Sequence, residues 1–229
     1  MPDSRRQSAV VPDLPMRILI TAGPTREYVD DVRFLSNASS GRMGYSIAEA
    51  AIAAGHDVIL VSGPVDLPVP DGVQVTQIET TDELRMSCLE LFPQCDGVIA
   101  TAAVCDYRPR QRVHGKMTKT GAPIVLELVE TSDVLAELGS GKQHRWVVGF
   151  ALESQDPRNN AMRKLRMKHC DCIVLNDTSA ISSLENRIEI LSPDAVTLAE
   201  FQGLKTTIAG QLIAFIEDNI APPSGGRRV

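Results

Sequence analysis

The chain has 229 residues, enough for one domain of generous size or two small ones. Its 23 Lys and Arg against 29 Asp and Glu give a formal net charge of −6, which argues against a general nucleic-acid or membrane-surface binder, because such proteins carry a basic excess. Aromatic residues make up only 4%, so the core must be built from Val, Ile, Leu and Ala, and this favours a parallel α/β core over an aromatic-rich β-sandwich.

Neither the ends nor the cysteines indicate export or a membrane span. No apolar stretch near the start is long enough for a signal peptide, and no run of about 18 apolar residues exists anywhere. Residues 1–15 and 221–229 are predicted to be disordered tails. The five cysteines fit reduced thiols in a cytoplasmic protein, and His169, Cys170 and Cys172 lack the second ligand pair of a closed zinc site.

Strands and helices alternate in the first half. Apolar, β-rich runs predict strands, and segments with a helical apolar period and capping residues predict helices. The predicted strands are residues 17–23, 57–63, 73–79 and 96–104, and the predicted helices are residues 40–55 and 80–92.

The second half is more mixed. Residues 107–121 are polar and predict a loop, whereas residues 124–130 alternate and predict a half-exposed strand. Further predictions are helices at 132–141, 157–170 and 204–219, strands at 145–153 and 171–177, and an antiparallel pairing of 187–193 with the segment near Val196. This order predicts an α/β fold, a Rossmann-like doubly wound and mostly parallel sheet with a late antiparallel hairpin, in one domain over residues 16–220.

Two strand ends carry residues suited to an anion or a nucleotide. The first strand ends at Gly23, and residues 36–44 (SNASSGRMG) offer hydroxyls and backbone N–H groups at a helix N-terminus, which favour phosphate. The alternative there is a plain Ser N-cap. After residues 96–104, Asp106 can reach a ribose or a base, or it caps a turn before Pro109.

Lysines form the third group of candidates. Lys116 and Lys119 lie in the long predicted loop, which is either a lid that neutralises charge or a solvated basic loop. Lys164 and Lys168 share one helix face and repel each other, which favours a triphosphate partner, the alternative being an exposed basic stripe. The sequence has no G-x-S-x-G elbow, Walker A run or Tyr-x-x-x-Lys pair.

In their order, the motifs of the chain resemble one known family. They are ITAGPTRE, RFLSNASSGRMG, SGPV, AAVCDYRP, VVGFALE, K-x-x-x-K and ND, and they extend from about Ile18 to Asn219. The chain is similar to the bacterial phosphopantothenate–cysteine ligases (phosphopantothenoylcysteine synthetases), the synthetase half of the bifunctional coenzyme A biosynthesis flavoprotein.

The resemblance implies a ligase. Members activate the carboxylate of 4′-phosphopantothenate with a nucleoside triphosphate, usually CTP, release pyrophosphate, and let the amine of L-cysteine attack the acyl-cytidylate, with Mg²⁺ assisting. The resemblance also implies a homodimer with active sites near the interface. The sequence does not decide whether CTP or ATP is the nucleotide, or which residue accepts the proton of the cysteine amine. The decarboxylase half is absent from this sequence, so a complete chain would be a stand-alone ligase with a separate decarboxylase.

The resemblance further implies roles for single residues. Asn37 would hold the acyl-cytidylate, and Lys116 would be the lid lysine, although the family's Lys-x-Lys-Lys reads Lys-Met-Thr-Lys here. The implied nucleotide contacts are Gly23, Ser39, Ser40, Gly41, Ala100, Thr101, Ala102, Asp106, Ser132, Asp133, Val134, Leu135, Phe150, Lys164 and Lys168. Two alternatives of other classes are an NAD(P)-dependent oxidoreductase, which the missing Tyr-x-x-x-Lys pair disfavours, and a non-catalytic nucleotide sensor.

Overall fold

The structure, a computed structural model, describes residues 15–176 and 183–221. The tails predicted at 1–15 and 221–229 lie outside the described residues, except for Pro15 and Ala221. Within the described ranges, no helix is long and apolar enough to cross a membrane.

The described ranges contain strands and helices in the predicted alternation. The strands are β1 Arg17–Ala22, β2 Arg26–Tyr28, β3 Phe34–Ser36, β4 Asp57–Ser62, β5 Gln74–Gln77, β6 Gly97–Ala100, β7 Tyr107–Pro109, β8 Leu128–Glu130, β9 Trp146–Leu152, β10 Cys172–Asn176, β11 Glu185–Leu191 and β12 Thr197–Leu204. The helices are α1 Arg42–Ala53, α2 Thr81–Leu91, α3 Val134–Ser140, α4 Pro157–Met167 and α5 Lys205–Asn219, with a 3₁₀ turn at Phe92–Gln94.

Eight strands form one sheet in the order β12-β11-β10-β9-β6-β1-β4-β5. The six strands from β10 to β5 run parallel, and β11 and β12 continue the sheet as an antiparallel hairpin. The predicted fold class, including the late hairpin, is therefore confirmed. The chain leaves β1 towards β4 on one side and later enters β6 on the other, so a ligand crevice is expected at the carboxyl ends of β1 and β6.

Helices cover both faces of the sheet. Ile18, Ile20 and Ala22 of β1 pack on the side of α1 and α5, and Leu19 packs on the side of α2, α3 and α4. All four side chains are fully buried, which explains why this run is apolar throughout instead of alternating. Burial on two faces fixes β1 as the centre from which the crevice opens.

Two small ribbons differ from the sequence prediction. β2 pairs with β3 inside the segment that joins β1 to α1, and β7 pairs with β8. The loop prediction for 107–121 was therefore wrong at its first three residues, and only Leu128–Glu130 of the strand predicted at 124–130 forms. Strands of three residues provide too few alternating positions to be recognised from the sequence. The apolar residues before β8 do not pack against the core, and Val125 is 94% exposed.

Candidate functional site

A cavity of about 910 Å³ opens where the fold predicts a crevice, at the carboxyl ends of β1, β6, β9 and β10. It gathers most of the residues that the sequence singled out. Those in its wall are Asn37, Ser39, Ser40, Gly41, Ala100, Thr101, Ala102, Asp106, Ser132, Asp133, Val134, Leu135, Phe150, Lys164 and Lys168. Gly23 and Lys116 do not line it.

The start of α1 forms the floor of the anion site. Gly41 occupies the N-cap position with φ 72°, and no side chain caps the helix. The alternative of a plain Ser N-cap is therefore wrong, since the one hydrogen bond that Ser39 Oγ accepts from the described part of the chain comes from Gly41 N, at 3.3 Å. The first turn of α1 contains no acidic residue, so its backbone N–H groups and the helix dipole favour a bound anion.

Glycine allows α1 to start directly against the sheet. A Cβ on Gly44 would lie 2.5 Å from both Ala22 Cβ and Thr101 Oγ1, so any other residue would push the helix away from β1 and β6. Gly23 shapes the turn behind this contact. Its φ is 73°, and a Cβ there would lie 2.9 Å from Val65 Cγ1, so Gly23 supports the wall from behind.

Asn37 lies exposed at the rim with its amide group fixed. Its Nδ2 donates to Ala103 O at 3.1 Å and to Val104 O at 2.8 Å. Both amide hydrogens are therefore used by the backbone after β6, and the group left for a ligand is the acceptor Oδ1. The sequence analysis placed Asn37 at the site without saying which amide atom meets the ligand, and the structure leaves Oδ1 as that atom.

The segment after β6 is held by threonines. Thr101 Oγ1 donates to Thr21 O at 2.6 Å, and Thr21 Oγ1 accepts from Ala102 N at 3.2 Å. The exposed Asp106 carboxylate makes no hydrogen bond to the described part of the chain, so it does not cap the turn before Pro109. It is left as an acceptor at the cavity.

The two helix lysines have carboxylate partners of their own. Lys164 Nζ lies 2.6 Å from Glu153 Oε1, and Lys168 Nζ lies 3.1 Å from Asp133 Oδ1. The repulsion between Lys164 and Lys168 therefore does not by itself require a ligand anion, because each charge is compensated locally. Asp133 also caps α3, accepting from Ala136 N at 3.1 Å. Both lysines still line the cavity, where a ligand anion would compete with these carboxylates.

The loop that carries Lys116 is tied to the β2–β3 ribbon. Met117 N donates to Asp30 Oδ2 at 3.1 Å, and Gly115 N donates to Asp31 Oδ2 at 2.7 Å. Burial alone would raise the pKa of Asp30, but hydrogen bonds from the N–H groups of Val32, Met117 and Arg33, together with the Arg33 charge, lower that pKa to about 2. These contacts hold Lys116 away from the cavity wall.

Several wall residues were not predicted as site residues. They are Arg42, Arg163, Asn176, Asn186 and Lys205, among others. Asn176 stands in the ND motif and Arg163 in the basic run of α4, so those two had a signal. Asn186 and Lys205 reach the site only because the late hairpin returns to the same sheet edge. No group of three or more His, Cys, Asp or Glu in the described ranges could hold a metal ion.

Fold and site together define a doubly wound α/β protein with an anion-accepting cleft at its switch point. The family described as the DNA/pantothenate metabolism flavoprotein C-terminal domain matches residues 15–220. The chain belongs to this family, which confirms the resemblance found in the motifs.

Relatives and solved structures agree with this assignment. The coenzyme A biosynthesis bifunctional protein CoaBC of Bacillus subtilis (strain 168) is 45% identical over 164 residues, 71% of this chain and 40% of that protein. The crystal structure of the C-terminal domain of a CoaBC protein superposes with a TM-score of 0.77 at 38% identity, covering 91% of this chain and 96% of that one. The DNA/pantothenate metabolism flavoprotein from Streptococcus pneumoniae gives a TM-score of 0.79 at 25% identity, covering 89% and 99%. The chain spans about 40% of the length of the curated relative.

Proposed function

We propose that this chain is a phosphopantothenate–cysteine ligase that joins 4′-phosphopantothenate and L-cysteine through an acyl-nucleotidylate. Membership of the family supports the proposal, since its relatives are named for coenzyme A biosynthesis. The observation that carries it is that one cavity collects fifteen of the seventeen residues implied by the motifs. The proposed product is 4′-phosphopantothenoylcysteine, which a decarboxylase would consume.

The cavity suggests where the nucleotide lies. Its phosphates would meet the uncapped N-terminus of α1 and the lysines of α4. Small side chains at Ala100 and Ala102 leave room for a base beside the α3 turn, and Asp106 can accept from a ribose hydroxyl. CTP is proposed over ATP on the resemblance alone.

The reaction has two steps. A carboxylate oxygen of phosphopantothenate attacks the α-phosphorus, forming an acyl–phosphate bond as pyrophosphate leaves. The neutral cysteine amine then attacks the acyl carbon, the nucleoside monophosphate leaves with the bonding electron pair, and the amine loses its proton. Asn37 Oδ1, the acceptor that the backbone leaves available, would accept a hydrogen bond from the attacking N–H. Orientation and charge neutralisation supply the catalysis, with no covalent enzyme intermediate.

Two further components belong to the proposal. Mg²⁺ usually binds through substrate phosphates and water, so it would enter with the triphosphate, whose charge it reduces. Lys116 would contact the ligand only after its loop moves, so we expect Lys116→Gln to lower turnover without lowering the melting temperature. Unchanged turnover in that variant would rule out the lid role.

Pyrophosphate release tests the proposed function. The purified chain is assayed with 4′-phosphopantothenate and Mg²⁺, comparing CTP with ATP, each with and without L-cysteine. We expect release that depends on phosphopantothenate, an amide product that depends on cysteine, and faster turnover with CTP. Nucleotide binding without release in any combination would contradict the ligase and support a nucleotide sensor.

A further inference from the structure

The segment that carries Lys116 is bound to the β2–β3 ribbon on both sides of that lysine. On one side, Gly115 N donates to Asp31 Oδ2 at 2.7 Å. On the other side, Met117 N donates to Asp30 Oδ2 at 3.1 Å. Lys116 itself is exposed and lies outside the cavity wall. Two neighbouring carboxylates of the ribbon therefore fix the backbone before and after the proposed lid lysine.

Asp30 and Asp31 differ in what else they bind. Asp30 is fully buried and also accepts hydrogen bonds from Val32 N and Arg33 N, so it is part of the turn that joins β2 to β3. The Asp31 side chain is 46% exposed, and both hydrogen-bond donors to its carboxylate belong to the loop. Removing the Asp31 carboxylate would therefore free the loop and leave the turn in place, whereas removing that of Asp30 would disturb both.

Asp31 holds the loop through both carboxylate oxygens. Arg112 Nη2 donates to Oδ1 at 3.0 Å, Oδ2 accepts from Gly115 N, and Asp31 N donates to Gly115 O at 3.3 Å. The Gly115 N–H and the Arg112 guanidinium lower the pKa of Asp31, so its carboxylate is charged at neutral pH. An ion pair this exposed contributes little to the stability of the chain, so these contacts can open without unfolding the domain.

We propose that Asp31 is a positioning residue for Lys116. Its contacts with Arg112 and Gly115 form a latch that holds the loop on the ribbon in the free protein and opens when Lys116 contacts the nucleoside triphosphate. The inference rests on the proposed function, which supplies the triphosphate. If the Lys116 contact forms only in the open state, the apparent dissociation constant rises as the open fraction falls. Removing the latch should therefore increase both the open fraction and the affinity for the triphosphate.

Limited proteolysis of the free chain measures the open fraction without any ligand. The rate of tryptic cleavage after Lys116 follows the population of the opened segment when opening is fast relative to cleavage. We expect Asp31→Ala to speed this cleavage by about fivefold, since an exposed ion pair and a hydrogen bond to a charged group are lost. Asp31→Asn can keep the bond from Gly115 N and should give an intermediate rate. Cleavage of Asp31→Ala at the wild-type rate would overturn the latch.

Glu200→Ala is the matched control for the loss of an exposed carboxylate. Glu200 pairs with Arg187 at 3.0 Å on the late hairpin, and its side chain is 54% exposed. At the same protein concentration, this variant should be cleaved after Lys116 at the wild-type rate. Mass spectrometry identifies the cleavage sites, and in Asp31→Ala only those within residues 107–121 should become faster. Equal acceleration at sites elsewhere would indicate general loosening of the chain and would also overturn the latch.

Calorimetric titration with CTP and Mg²⁺, without the other substrates, links the latch to Lys116. We expect Asp31→Ala to bind CTP more tightly, by about the factor by which its cleavage is faster. In a Lys116→Gln background, Asp31→Ala should not change the affinity, because opening the loop then brings no lysine to the ligand. Unchanged CTP affinity in Asp31→Ala would overturn the positioning role. A gain that persists in the Lys116→Gln background would overturn it as well, since the gain would then reflect only the loss of a negative charge.

Failure of the proposed function would give a different pattern. A chain that releases no pyrophosphate, but whose gain in CTP affinity on Asp31→Ala depends on Lys116, would contradict the ligase and leave the latch standing. A chain that forms the amide product, but whose cleavage after Lys116 does not respond to Asp31→Ala, would support the ligase and overturn the latch. ATP takes the place of CTP in the titrations if the pyrophosphate assay shows faster turnover with ATP.

Discussion

The Asn37 side chain shows how a single amide can be committed to one role. Two backbone carbonyl oxygens take both of its N–H hydrogens, so the chain itself fixes which atom is presented to a ligand. Motif order was enough to place Asn37 at the site. It could not tell donor from acceptor, because that depends on where the backbone after β6 passes, a tertiary contact across 66 and 67 residues of sequence.

We expect Asn37→Asp to impair ligation. The new carboxylate has no hydrogen to donate to the carbonyl oxygens of Ala103 and Val104, so both hydrogen bonds would be lost. Its negative charge would also repel the phosphate of an acyl-nucleotidylate. Loss of two hydrogen bonds at a reacting centre predicts amide formation slower by about a hundredfold. The measurement is the rate of cysteine-dependent amide product, with Asn219→Asp as a control that should retain the wild-type rate.

Asp30 makes the free energy of unfolding depend on pH in the acid range. Its carboxyl is fully buried, and its pKa is lowered from 3.8 to about 2 in the folded chain, so the folded state favours the ionised form. The stabilisation is present above pH 3.8 and is lost as the pH falls towards about 2. Asp30→Asn should therefore be less stable than the wild type at pH 7, and the difference should shrink through that window. Urea unfolding across the pH range measures it, and a difference independent of pH would contradict the argument.

At the scale of elements, what the sequence predicted depends on how much of an element is buried. β1, β4 and β10 are nearly continuous apolar runs between two helix layers, so their type and place were predicted within one or two residues. The three-residue strands β7 and β8 have no such layer, and their pairing follows from the path of the chain. Likewise, Asn186 and Lys205 entered the site through the hairpin, which no local pattern specifies.

The close approach of α1 to the sheet can be tested by adding one methyl group at Gly44. We expect Gly44→Ala to lower the free energy of unfolding by about 1–3 kcal/mol, because the new Cβ would overlap Ala22 and Thr101. It should also weaken CTP binding, since α1 would move at the end that faces the phosphates. Gly210→Ala is the control, because Gly210 lies in α5 with open space around its Cβ position, and alanine is the better helix former. Equal stability and CTP affinity in Gly44→Ala and the wild type would contradict the packing argument.

The whole molecule exposes apolar residues unevenly. Eight of the seventeen large apolar residues that are exposed in the described ranges belong to the segments 32–34 and 107–128. Hydrogen bonds from Val113 N to Val29 O and from Gly115 N to Asp31 Oδ2 join the two segments into one surface. A concentration of this kind on one surface is typical of an interaction site, and the resemblance implies a homodimer, so we propose that a second copy of the chain covers this surface.

We therefore expect a homodimer formed through this surface, and Val125 is its most exposed member at 94%. Light scattering should give the wild type twice the chain mass of 24.8 kDa. Val125→Lys should shift the equilibrium towards the monomer, because the partner would have to desolvate a charge. Val196→Lys, at a residue 56% exposed beside the β11–β12 turn, should leave the dimer intact. A monomeric wild type at micromolar concentration, or a dimer unaffected by Val125→Lys, would contradict this assignment of the surface.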